Sequence, residues 1–190
     1  MIPGGDVRQF GWFVLLLMLT GSCRHAPGNN PSRPYLDVRW SGSEQGKISG
    51  PATAEWCSPR RLLEIRTVQG DTGIALALYP GETITAGKYH VVHPAKAESL
   101  PPAAGVALRW LTQTTVQGFQ GDSGVVDLDR SAAGLLSGRV RIRARSVVDT
   151  QRVSVTGTFE DLTVRAQARG CIAPEENSGE HAEHPDTGVH

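Results

Sequence analysis

Gly138-Arg139-Val140-Arg141-Ile142-Arg143-Ala144-Arg145-Ser146 alternates without a break: Val140, Ile142 and Ala144 share one parity, and Arg139, Arg141, Arg143 and Arg145 share the other. Only a pleated strand separates the two sets cleanly, because successive side chains of a strand point to opposite faces, whereas a helix would scatter the arginines around its axis. Working outward, Asp149-Thr150-Gln151 reads as a turn, and Arg152 to Phe159 follows with Val153, Val155 and Phe159 on the inner face. A closing strand is expected to turn Leu162, Val164, Ala166 and Ala168 inward. Upstream, Leu36, Val38 and Trp40, then Ile74, Leu76 and Leu78, then Val106, Leu108 and Trp110 repeat the same period of two.

Clusters of turn-forming residues separate these runs: Ser43-Glu44-Gln45-Gly46, Tyr79-Pro80-Gly81-Glu82 and Leu100-Pro101-Pro102-Ala103-Ala104-Gly105. No stretch of helical length and period follows the first 23 residues. The expectation is an all-β domain over 35–171: a single antiparallel β-sandwich, jelly-roll or immunoglobulin-like, of eight or nine strands. A closed β-barrel is the alternative, although the Gly-x-Trp signature that lipocalin-like barrels carry near their start is missing. Gln69-Gly70-Asp71-Thr72-Gly73 recurs as Gln120-Gly121-Asp122-Ser123-Gly124, which reads as two similar hairpins. With 190 residues, 39% hydrophobic and 6% aromatic, the composition excludes collagen-like, coiled-coil and multi-span membrane classes.

The amino terminus has a different character. Arg8 precedes an apolar run from Gly11 to Leu19, then the small residues Thr20-Gly21-Ser22 lead to Cys23. The run is too short for a membrane-spanning helix, which needs about 20 residues, and the order of charge, apolar run and small residues fits an export signal. Leu19-Thr20-Gly21-Ser22-Cys23 resembles a bacterial lipobox, with Thr20 and Ser22 where Leu and Ala or Gly are usual. The resemblance implies a signal peptide over 1–22, diacylglycerol attachment at Cys23, and a protein of the bacterial cell envelope held to a membrane with its domain outside the cytoplasm. Residues 23–34, rich in Pro and Asn, are expected to form a disordered tether.

Cys57 and Cys171 then remain as a pair in an oxidising compartment, where a disulfide is the expected state. No further Cys is left for a zinc site. Formal charge balances at 19 basic and 19 acidic side chains, but unevenly. Residues 172–190 hold five acids and neither Lys nor Arg, so the domain is basic and the tail acidic. The tail carries His181, Glu183, His184, Asp186 and His190; disorder is expected there, with weak metal binding as the alternative.

Arg139, Arg141, Arg143 and Arg145 are the candidate anion-binding residues. Guanidinium groups on one strand face, joined by Arg152, Arg165 and Arg169 on neighbours, offer donors suited to phosphate, sulfate or carboxylate. The same row also fits a solvated face, with sixteen Arg to three Lys chain-wide pointing to a compositional bias. Nucleic acid is not the expected partner, since no aromatics interleave the arginines. Gly121-Asp122-Ser123-Gly124 resembles the nucleophile loop of chymotrypsin-like serine proteases, but Val125 replaces the family's next Gly and no matching His-then-Asp order precedes it. His90 and His93, three apart on a presumed strand, would face opposite ways. The expectation is therefore a non-catalytic binding or structural module with no cofactor and no metal, meeting an anionic ligand or an envelope protein. A hydrolase using Ser123 is the alternative.

Overall fold

The structure, a computed structural model, describes residues 33–112, 114–167 and 171. Its strands are β1 (Tyr35–Gly42), β2 (Gly46–Pro51), β3 (Thr53–Cys57), β4 (Leu62–Gln69), β5 (Thr72–Tyr79), β6 (Gly87–Val91), β7 (Ala103–Leu111), β8 (Val116–Arg130), β9 (Leu136–Ser146), β10 (Arg152–Leu162) and β11 (Val164–Ala166). One short helix, α1 (Pro94–Ala97), lies between β6 and β7. The domain is thus all-β, as its alternating sequence requires. All strands belong to one mixed sheet in the order β11-β3-β4-β5-β7-β6-β8-β9-β10-β1-β2, with β7 also pairing β8 directly.

The two ends of that order are brought together by chain continuity. β1 lies between β10 and β2, antiparallel to both, so β10 and β2 run parallel on its two sides. Below Tyr35, where β1 begins, both neighbours continue past it. β2 passes through Ala52 into β3, and β10 passes through Thr163 into β11. The continuations pair with each other in parallel, Val164 opposite Ala54 and Ala166 opposite Trp56. β3 then pairs antiparallel with β4, Ala54 opposite Ile65. Across this curl, Thr67 Oγ1 donates to the Pro51 carbonyl at 2.6 Å.

The inner face carries a single apolar cluster, including Leu36, Val38, Leu76, Phe119, Val140, Val155 and Phe159. Burying side chains of this size is worth roughly 1.5–3 kcal/mol each, the dominant favourable contribution to folding. The hairpin turns β1–β2, β4–β5, β7–β8 and β9–β10 all lie at one end, as the antiparallel registers require. There Trp40 stacks on Trp110 with ring centroids 5.1 Å apart, and Trp110 on Phe119 at 5.0 Å, filling the interior beneath the turns. At the opposite end Cys57 and Cys171 are joined, as expected, across 114 residues.

Several sequence expectations are corrected. Gln69-Gly70-Asp71-Thr72 is the tight turn between β4 and β5, but its echo at Gly121-Asp122-Ser123-Gly124 lies inside the unbroken β8. A register shift between Gly121 and Ser123 makes it a β-bulge, with Asp122 the inserted residue. Gly124 has φ 121°, and a Cβ there would meet the Arg141 carbonyl oxygen at 2.3 Å. Turn chemistry and bulge chemistry share a need for such glycines, so the motif alone does not distinguish them. The closing strand is also shorter than its alternation suggests: Leu162 is buried, Val164 half-buried and Ala166 exposed, while Ala168 lies outside the described residues. His93 is not on a strand with His90. It caps α1, its Nδ1 accepting from Ala95 N at 3.3 Å, while His90 is exposed on β6.

Candidate anion-binding face

Alternation in β9 places Arg139, Arg141, Arg143 and Arg145 on the exposed face, with Val140, Ile142 and Ala144 buried beneath them. Register then decides what stands beside each arginine. The lowest level that holds an arginine joins Asp127, Arg139, Thr158, Asp37 and Ser49 across β8, β9, β10, β1 and β2. One step toward the turns come Val125, Arg141, Thr156, Arg39 and Lys47. The next level is Ser123, Arg143, Ser154 and Ser41, and the last Gln120, Arg145 and Arg152. Strands in a sheet lie about 4.8 Å apart and same-face residues along a strand about 6.8 Å apart, so the upper levels form a patch roughly 14 Å on a side.

On the lower part of this face several polar groups are paired, although no carboxylate lies within 4.0 Å of Arg139 among the described residues. Asp127 Oδ2 accepts from Arg141 Nη2 at 2.8 Å. Ser49 Oγ donates to Asp37 Oδ2 at 2.7 Å, so the Tyr35 hydroxyl, 2.7 Å from Ser49 Oγ, is the donor in that contact. Asp37 also lies 3.8 Å from Arg39. Nearer the turns, among the described residues, no carboxylate lies within 4.0 Å of Arg143, Arg145 or Arg152, and the same holds for Lys47 on the level of Arg39 and Arg141. Nor do the hydroxyls of Ser41, Ser154 and Thr156, all exposed, make a hydrogen bond among those residues.

The arginine row is therefore not uniform. Arg139 and Arg141 stand beside acids, whereas Arg143 and Arg145 stand among hydroxyls and further cations. Sequence alternation placed Arg39 outward but offered no means of locating it beside this row, and Lys47 was missed altogether. Arg152 does join the row, opposite Arg145. Arg165 does not: it lies on β11, opposite Glu55 at the seam. Arg169 lies outside the described residues. A recess of about 670 Å³ adjoins the patch at the β1–β2 hairpin, lined in part by Arg39, Trp40, Gln45, Gly46, Lys47 and Thr156.

The other candidates fall elsewhere. Ser123 occupies the exposed bulge opposite Arg143, and no imidazole hydrogen-bonds it among the described residues. Among those residues no group of three or more His, Cys, Asp or Glu side chains is placed to hold a metal ion. No described helix is long and apolar enough to cross a membrane. Cys23, the signal peptide over 1–22, the tether, and His181, Glu183, His184, Asp186 and His190 of the tail lie outside the described residues.

No family model, curated protein or solved structure matches this chain.

Proposed function

We propose that this chain is a non-catalytic, lipid-anchored protein of the bacterial cell envelope whose β-domain binds an anionic ligand through the turn-proximal half of its arginine face. The observation that carries the reading is the contrast within one sheet face. Arg141 pairs with Asp127 and Arg39 lies near Asp37, whereas Arg139, Arg143, Arg145, Arg152 and Lys47 have no carboxylate within 4.0 Å among the described residues, and three of those five cluster at the β9–β10 turn. Guanidinium groups fixed at strand spacing offer an oxyanion several donors at once without ordering a loop first. The membrane anchor rests on the lipobox resemblance at Cys23.

We infer as well that the sheet is best regarded as a closed β-barrel rather than a two-sheet sandwich. In support, β2 runs into β3 and β10 into β11, and these continuations pair with each other. A single apolar interior contains side chains from every part of the strand order. A filled barrel leaves its outer face as the place for recognition.

Binding of inorganic polyphosphate tests the central reading. The expected result is affinity that weakens steeply as salt rises, since exposed charges are screened within about 8 Å at physiological ionic strength. Arg143→Ala combined with Arg152→Ala should weaken it strongly. Absence of binding by wild-type protein at low salt, to polyphosphate and to a sulfated oligosaccharide alike, would overturn the proposal. The anchor is tested separately, by intact mass and membrane partition of protein made in a bacterium from its complete reading frame: a diacylglycerol adduct on an amino-terminal Cys23 is expected, and a soluble unmodified product would remove it.

A further inference from the structure

The patch is arranged as a basin. Its floor consists of short exposed hydroxyl side chains, Ser41, Ser154 and Thr156, on adjacent strands β1 and β10. Its rim consists of long cations: Arg141 and Arg143 on β9, Arg145 and Arg152 at the β9–β10 turn, and Arg39 and Lys47 toward β2. Short side chains thus lie between longer ones on either side, and the recess at the β1–β2 hairpin includes Ser41 and Thr156. The two sets also differ in chemistry. Guanidinium and ammonium groups only donate hydrogen bonds, while each hydroxyl both donates and accepts. A sulfate ion or an ionised polyphosphate chain only accepts, and so engages the rim fully and the floor in part.

We infer that the ligand class is an anionic saccharide: sugar hydroxyls over the Ser41, Ser154 and Thr156 floor, with sulfate, phosphate or carboxylate substituents on the cationic rim. This rests on the anion-binding reading above and narrows it. The rim cations stand roughly 14 Å apart across the basin, from Arg152 to Arg39, which suits charges distributed along several sugar rings better than one compact ion. At the side toward β2 the floor continues into the recess of about 670 Å³. Gly46 has no side chain there, and the indole edge of Trp40 lies against it, with Trp40 Cζ2 2.2 Å from where a Cβ would be. Trp40 itself is buried in the interior, so what the recess adds beside the hydroxyl floor is the amide of Gln45.

The experiment compares three probes on the full chain: a heparin oligosaccharide, inorganic polyphosphate of equal charge, and uncharged dextran. The sulfated oligosaccharide should bind at least about tenfold more tightly than polyphosphate, and dextran should not bind measurably. Ser154→Ala with Thr156→Val removes two hydroxyls while keeping strand-compatible shapes. It should weaken the oligosaccharide by about tenfold, a few-fold per hydrogen bond lost, and leave polyphosphate unchanged. Arg143→Ala with Arg152→Ala should weaken both. If polyphosphate binds as tightly as the oligosaccharide and the hydroxyl variant alters neither, the saccharide assignment fails while anion binding stands. If neither anionic probe binds, the anion-binding reading itself fails.

Discussion

Arg145 on β9 and Arg152 on β10 stand directly opposite each other, two cations on one exposed face, with no carboxylate within 4.0 Å of either among the described residues. Like charges in direct cross-strand register destabilise a sheet by a few tenths to about 1 kcal/mol. The domain carries that cost at a hairpin where Thr would suit the strand better. Arg152→Thr should therefore raise the melting temperature by about 1–4 °C at low salt, a gain that shrinks as salt screens the pair. The same variant should bind polyphosphate less tightly. Calorimetry at two salt concentrations, beside a binding titration, checks both. A variant that is neither more stable at low salt nor weaker in binding would show that the pair has no special standing.

The alternation that makes β9 a strand was legible residue by residue, and so was the parity of Leu36, Val38 and Trp40 and of Val153, Val155 and Phe159. These depend on the local rule that strand side chains alternate, which any short window displays. Register is another matter. That Thr156 meets Arg39 depends on pairing strands more than 100 residues apart in the chain, and even across the β9–β10 hairpin, where Thr156 meets Arg141, a slip of one residue would have faced other groups. Alternation makes Arg141 one of four equivalent anion-binding candidates, and only the β8–β9 register brings Asp127 within its reach. The bulge at Asp122 was hidden for a related reason: Gly-Asp-Ser-Gly satisfies the backbone needs of a turn and of a bulge equally well.

Gly138 and Phe159 are partners across β9 and β10. A Cβ on Gly138 would lie 2.2 Å from the Asp127 carbonyl oxygen and 2.4 Å from Phe159 Cζ, so the ring occupies the space that the missing side chain leaves. Phe159 is fully buried, and close-packed surroundings give it nowhere to move. Gly138→Ala is expected to cost about 1–3 kcal/mol, as overpacking generally does. Combining it with Phe159→Leu should cost less than the sum of the two single changes by at least about 0.5 kcal/mol. Urea denaturation of the four proteins in the cycle checks this. Strict additivity would mean that the carbonyl alone, not the ring, sets the penalty.

The bond between Cys57 and Cys171 ties the end of β3 to the chain beyond β11 across 114 residues. It closes nearly the whole domain, and β11 itself contributes only a three-residue parallel ladder to the seam. Loop-closure entropy for a ring of that size amounts to about 4–5 kcal/mol. Replacing Cys57 and Cys171 together by Ala is expected to lower the melting temperature by about 10 °C or more. The loss should be matched by reduction of the wild-type protein and absent when the double variant is reduced. A wild-type protein indifferent to reductant would mean that the seam is held by the β3–β4 and β9–β10 ladders without help.

Tyr79 ends β5 at the same pole as that disulfide, packed with Cys57, Leu62 and Ala103. Burial raises its phenol above its ordinary value near 10, because the phenolate is poorly solvated there. The Arg60 guanidinium opposes the rise, while the carboxylates of Glu98 and Glu64 add to it. Arg60 is itself held by Glu98, Nη2 to Oε2 at 2.9 Å. A group whose pKa is higher folded than unfolded keeps its proton more tightly in the folded state. Its contribution to stability is therefore complete below the unfolded value near 10 and is lost as pH rises through the folded one. Wild-type stability should accordingly fall as pH rises from about 9.5 to 11, and Tyr79→Phe, which has no proton to lose, should show a shallower decline. Arg60→Gln should move the phenol higher still, since the one cation favouring phenolate is gone. Urea denaturation across this pH range, with the ultraviolet titration of Tyr79 taken as the difference between wild type and Tyr79→Phe, checks the sign. Equal pH dependence in wild type and Tyr79→Phe would mean that the phenol titrates alike in folded and unfolded chains.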